Sequence, residues 1–230
     1  MANATVKTES VKLNDRLVAF IQKNRIGLLV GVAVIILGVI VFGATLAILD
    51  SSREKAIASV EALAERYDTI RVENDETKKG EAATSLLADL QAFASKHSGY
   101  SAARAYSVAA GIRADRKEWA EAVTAWLAAA DALPNSYLAP VSVYNAATAA
   151  EELGDGTRAL ELYSRCATTY EKTFSQAPRA YLAVGRLNEE RKDYQAATAA
   201  YKKIVETWPN DSWAKLAQGR LLTIAAEGLN

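Results

Sequence analysis

Between Ile26 and Leu49 the chain runs for twenty-four residues without a charge or a side-chain amide. At a helical rise of about 1.5 Å per residue such a run reaches about 36 Å, enough to cross a hydrocarbon core about 30 Å thick. Only Thr45 and four glycines (Gly27, Gly31, Gly38 and Gly43) interrupt its Leu, Val, Ile, Ala and Phe. A core helix of that length would carry a polar face, and this run has none on any side. A cleaved signal peptide has an apolar segment of about 7–15 residues and a short basic leader, whereas 25 residues precede this run. The run therefore reads as an uncleaved transmembrane helix, 26–49, with parts 1–25 and 50–230 on opposite sides of a membrane.

Flanking charge sets the expected orientation. Lys7, Lys12, Arg16, Lys23 and Arg25 precede the span against Glu9 and Asp15, while between residues 51 and 70 only Arg53, Lys55 and Arg66 are basic. Short basic flanks stay in the cytoplasm. Residues 1–25 then form a cytoplasmic leader, in which Leu13, Leu17, Phe20 and Ile21 make an amphipathic stripe. The C-terminal part faces the other side, the periplasm if the membrane is a bacterial inner membrane.

The whole chain balances 27 basic against 27 acidic residues. The part after the span is weakly acidic, so nucleic acid, which needs a clustered basic surface, is not an expected partner. A single cysteine excludes an intrachain disulfide and any multi-cysteine metal site.

Beyond the span apolar residues recur at three and four, the helical period, and no strand-like alternation occurs. Helices are expected near 52–73, 81–96, 101–114, 117–132, 138–153, 156–172, 177–191, 194–207 and 211–226. They also repeat. Ala122…Trp126, Ala159…Tyr163 and Ala197…Tyr201 each place a small residue one turn before an aromatic, followed three residues on by Ala129, Cys166 and Ile204. Upstream, Tyr106…Ala109-Ala110, Val143…Ala146-Ala147 and Tyr181…Val184-Gly185 stand in the same register, and Pro134 and Pro209 close two of the copies. The pattern resembles the tetratricopeptide repeat, in which small residues let paired helices approach and bulky ones fill the space between pairs. The expected fold is all-α, a single N-terminal transmembrane helix followed by an α-solenoid of tetratricopeptide-like hairpins. A degenerate first pair would span 52–97, repeats would lie near 103–136, 140–173 and 178–211, and residues 211–226 would form a capping helix with Gly219 and Leu222 in register.

The layout narrows the resemblance. The segment 17–25 running into 26–34, and Gly99-Tyr100-Ser101-Ala102-Ala103-Arg104-Ala105 opening the first clear pair, are similar to the YfgM-like ancillary subunits of the bacterial Sec translocon. That resemblance implies a membrane-anchored interaction module assisting protein export, with translocon subunits, a membrane-anchored periplasmic chaperone or exported clients as partners. A structural scaffold in an envelope complex, for secretion, motility or cell-wall work, would use the same fold.

No catalytic constellation is legible, and neither an enzyme nor a cofactor is expected. His97 is the lone histidine and reads as an exposed or capping residue; Cys166 sits at a packing position and reads as a buried, inert thiol. What remains is a groove for a protein partner. Opposite their packing stripes, the first helices of two pairs would present Tyr144, Thr148 and Glu152, then Arg179, Leu182, Arg186 and Glu189. Arg179 and Arg186, two turns apart, are expected on the exposed side and replaceable without disturbing the packing. The Lys and Asn set of the repeat family's carboxylate clamp is not found here, so capture of a chain-terminal carboxylate is not implied.

Overall fold

A computed structural model describes residues 15–229, and the chain divides into two units, Met1–Lys55 and Ala56–Asn230. In the first unit residues 15–23 are helical, and α1 (Arg25–Arg71) follows a single turn residue, Asn24. Asn24 carries the helical bonding across this turn. Its N–H and Nδ2 both donate to the Phe20 carbonyl, at 3.0 and 3.1 Å, and its own carbonyl accepts from Leu28 N–H at 2.9 Å. Thr45, the one polar side chain of the apolar run, donates Oγ1 to the Val41 carbonyl at 2.8 Å. Satisfying such a group within its own helix is what a medium without water demands. This helix is long and apolar enough to cross a membrane, and none of its most apolar window is buried inside the protein. Leu17, Phe20 and Ile21 of the leader stripe are exposed; Leu13 lies outside the described residues.

A break was expected between the span and a helix at 52–73. The structure has none: α1 is one helix of 47 residues. Asp50-Ser51-Ser52 costs only about 0.5 kcal/mol per residue in helix propensity, and no proline removes a backbone donor there.

In the second unit Val60 and Ala64 of α1 enter a core with Leu86 and Leu90 of α2 (Glu76–Ala94) and Val108 and Ile112 of α3 (Gly99–Asp115). Helix α2 starts at Glu76 rather than near residue 81. Asp75 caps it, accepting from the N–H groups of Thr77 and Lys78 at 3.0 and 3.1 Å. Six helices follow: α4 (Trp119–Ala132), α5 (Leu138–Glu152), α6 (Gly156–Thr169), α7 (Ala177–Glu190), α8 (Tyr194–Thr207) and α9 (Ser212–Ala226). From α2 onward each packs on the next, and α7 also touches α9.

The repeat is written into the turns within each pair. Lys117, Gly154 and Lys192 take left-handed backbone angles, φ 58°, 82° and 62°. The residue after each donates its N–H back to Arg113, Ala150 and Asn188, every time at 2.9 Å. Asp155 and Asp193 then cap α6 and α8 through the N–H groups of Arg158 and Ala196. Ala122, Ala159 and Ala197 are fully buried where the paired helices touch, while Ala199 is exposed. Gly185 marks the tightest approach: a Cβ there would lie 2.6 Å from Cζ of Tyr201.

Helix α9 packs through Ala214, Ala217, Leu221 and Ile224, which repeat the stripe Ala177, Ala180, Val184 and Leu187 of α7. Leu222 stands where Gly185 stands in α7, yet it is 72% exposed. Gly185 faces its paired helix α8, and no helix among the described residues covers the corresponding face of α9.

Candidate functional site

The first helices of the last pairs share one face. Tyr144 and Thr148 of α5, Arg179, Leu182, Arg186 and Glu189 of α7, and Trp213, Leu216 and Arg220 of α9 line a cavity of about 700 Å³. Tyr163 and Tyr201 reach it from the second helices α6 and α8. Glu152 is absent from this lining and is exposed. The helical period explains why: seven residues from Tyr144 return to nearly the same direction, whereas eight overshoot by about 80°. Glu151, seven residues on, is the carboxylate that meets Arg186 and the Tyr163 hydroxyl.

Ion pairs tie the helices together along this face. Arg186 bridges Glu151 of α5 at 2.6 Å and Glu190 of its own helix at 2.7 Å. Burial works against its charge, but the two carboxylates outweigh burial and hold the guanidinium more firmly protonated than usual. Arg220 of α9 pairs with Glu189 of α7. Burial alone would raise the Glu189 carboxyl; the hydrogen bonds from Arg220 and from the Tyr201 hydroxyl override it and hold it below the usual range. The Tyr163 hydroxyl shares a hydrogen with Thr148 Oγ1 at 3.0 Å and reaches Glu151 at 3.2 Å. Burial pushes both phenols well above their ordinary value, so they stay neutral.

Arg179 differs. Its guanidinium carbon lies 5.0 Å from the ring centroid of Tyr144 and 5.9 Å from that of Trp213. Its Nη1 donates to Gln176 Oε1 at 3.2 Å, and it makes no ion pair among the described residues. Tyr144 is held from behind by Tyr163, edge-on at 5.2 Å.

No protein-family model matches the chain. A TPR repeat-containing protein of Treponema pallidum (strain Nichols) is 35% identical over 225 residues, covering 91% of this chain and 93% of that one. The chain belongs to the TPR repeat-containing proteins. Its fold is similar to the crystal structure of the apo form of RapI, with a TM-score of 0.52 at 15% identity. That match covers 73% of this chain, which spans a little under half (46%) of the solved one.

In this TPR chain six of the seven residues expected in a groove line this one cavity, and Glu152 lies outside it. Sequence reasoning overlooked Trp213, Leu216 and Arg220, because α9 reads as a cap and its inner face was given no role. Their signal is visible afterwards: an aromatic, a leucine and an arginine at positions 0, 3 and 7 fall on one helical stripe. Arg186 is exposed, as expected, and its two carboxylates add a surface ion pair between repeats. Elsewhere, exposed His97 stacks on Phe93 at a centroid distance of 4.1 Å. Cys166 is buried and donates its thiol to the Pro140 carbonyl at 3.4 Å. Burial pushes that thiol up to about 12, which leaves it unreactive. Among the described residues no cluster of three or more His, Cys, Asp or Glu is placed to hold a metal ion.

Proposed function

We propose that this TPR protein is a membrane-tethered interaction module that assists protein export or chaperone hand-over at the Sec translocon. Residues 26–49 span the bacterial inner membrane, residues 1–25 stay in the cytoplasm, and the repeat domain, 50–230, faces the periplasm. The observation that carries the reading is an uncovered apolar run in the same chain as a preformed groove. Between Ile26 and Leu49 sixteen large apolar side chains are exposed. Leaving them in water would cost on the order of 20 kcal/mol, and a bilayer removes that cost.

The groove supplies the second half. Its ion pairs are made within the protein, so α5, α7 and α9 are held in place before a partner arrives, and less order has to be imposed on binding. Tethering adds effective concentration: a weak groove held at the membrane meets an emerging chain more often than a free one would. The orientation rests on the basic leader, with Lys23 and Arg25 abutting the span.

Affinity purification from detergent-solubilised membranes, read by mass spectrometry, tests the role. Translocon subunits, a membrane-anchored chaperone or exported clients in substoichiometric amounts are expected. A discrete envelope assembly recovered in fixed stoichiometry would overturn the export role in favour of a scaffold.

A further inference from the structure

Three arginines line the groove, and the protein neutralises two of them itself. Arg186 and Arg220 are engaged by carboxylates of α5 and α7. Arg179 is the cation whose charge no carboxylate among the described residues answers. Its guanidinium lies over the ring of Tyr144, from the preceding pair, and within cation–π reach of Trp213, from the following helix. Two such rings fix the plane of a guanidinium and strip part of its weak hydration. They leave its edge, where the N–H donors point, able to take a carboxylate through two parallel hydrogen bonds. Leu182 and Leu216 supply apolar wall beside it.

We propose that the groove reads an acidic side chain set between apolar residues of a partner polypeptide, with Arg179 as the residue that determines this specificity. The proposal rests on the groove being a protein-binding surface, as argued above. A nucleic acid or polyphosphate does not suit it, because such ligands need several uncompensated cations and the groove offers one. A side chain is favoured over a chain terminus by position. Arg179 lies between α5 and α9 rather than at one end of the face, so a chain laid across the three helices continues past it on both sides.

The test uses the full-length protein in detergent micelles, immobilised through its leader, against a random twelve-residue peptide library. One arm of the library has both peptide ends fused, the other a free C-terminus. Among peptides captured in the fused arm, Asp or Glu should be enriched about tenfold at one position with apolar neighbours, the size expected of a charge-assisted hydrogen-bonded pair. R179Q should lose that enrichment at an unchanged thermal midpoint, and R179K should keep part of it. If R179Q unfolds, R179K and the salt dependence of the wild type still decide, since capture of acidic peptides should fall as salt rises. Capture without acidic enrichment, or enrichment unchanged in R179Q, overturns the role of Arg179 and leaves the groove as a protein site. Enrichment confined to the free-terminus arm overturns the side-chain assignment. Capture of no peptide by the wild type overturns both this inference and the reading beneath it.

Discussion

Gly185→Ala and Gly219→Ala are the same chemical change in helix interiors, and they should move stability in opposite directions. At Gly185 the new methyl would sit 2.6 Å from Cζ and 2.8 Å from Cδ1 of Tyr201, about 1 Å inside normal contact. Tyr201 is 1% exposed, and its hydroxyl is tied to Glu189, so the ring has little freedom to swing away. Overpacking of this kind costs about 1–3 kcal/mol, and the helix propensity gained over glycine returns about 1 kcal/mol. The expected net effect is a loss of up to about 2 kcal/mol. At Gly219 a Cβ meets nothing within 4 Å, so only the propensity remains, a gain of up to about 1 kcal/mol. Denaturant midpoints by circular dichroism in mild detergent measure both. Adding Tyr201→Phe to Gly185→Ala frees the ring from its tether, so the double variant should be less destabilised than the sum of the singles. Equal shifts of the same sign at the two glycines would refute the packing on which the repeat register rests.

The turns make a second case. Gly154→Ala, at φ 82°, should cost about 1–2 kcal/mol, whereas Lys192→Gly at the equivalent left-handed position should be neutral or gain up to about 1 kcal/mol; denaturant midpoints check both. Acid should weaken the α7–α9 contact in a defined way. The Glu189 carboxyl is held below its ordinary value of 4.5, so its contribution is present above that pH and is lost as pH falls through the lower folded-state value; Glu189→Gln should flatten this part of a stability–pH profile. Cys166 should resist iodoacetamide at pH 8 in the folded protein and react promptly in denaturant, because burial raises its thiol to about 12. Protease added to spheroplasts should digest residues beyond the span and leave an anchored fragment with the leader; complete protection of the repeat domain would reverse the orientation.

The features legible in the sequence were those held within one helix. Ala159 and Tyr163, or Ala197 and Tyr201, lie one turn apart, so their shared face follows from the period alone, and the repeat spacing follows from finding them again. The shared lining of the cavity was legible to the same extent, since Tyr144 and Thr148 or Arg179, Leu182 and Arg186 are local patterns. What joins different helices was not. Nothing near Arg186 in sequence says that Glu151 receives it, and nothing near Glu189 points to Arg220. Glu152 lies outside the cavity, because eight positions do not close on two turns of 3.6. The continuity of α1 was missed for a different reason: Asp50-Ser51-Ser52 looks like a break in polarity, and polarity alone does not end a helix.

Photocrosslinking in the cell from two positions tests most directly that this TPR protein acts through the face shared by α5, α7 and α9. A photoreactive residue at Leu182 lines the groove, and one at Ala199 lies exposed on α8, outside it. Ala199 is exposed, whereas Leu182 is partly buried against the core of α8 and α9, so adducts are compared at matched abundance of the two variants. The account predicts discrete adducts at Leu182, with translocon subunits, chaperones or exported clients among them, and few or none at Ala199. Partners captured equally at both positions, or at Ala199 alone, would contradict it.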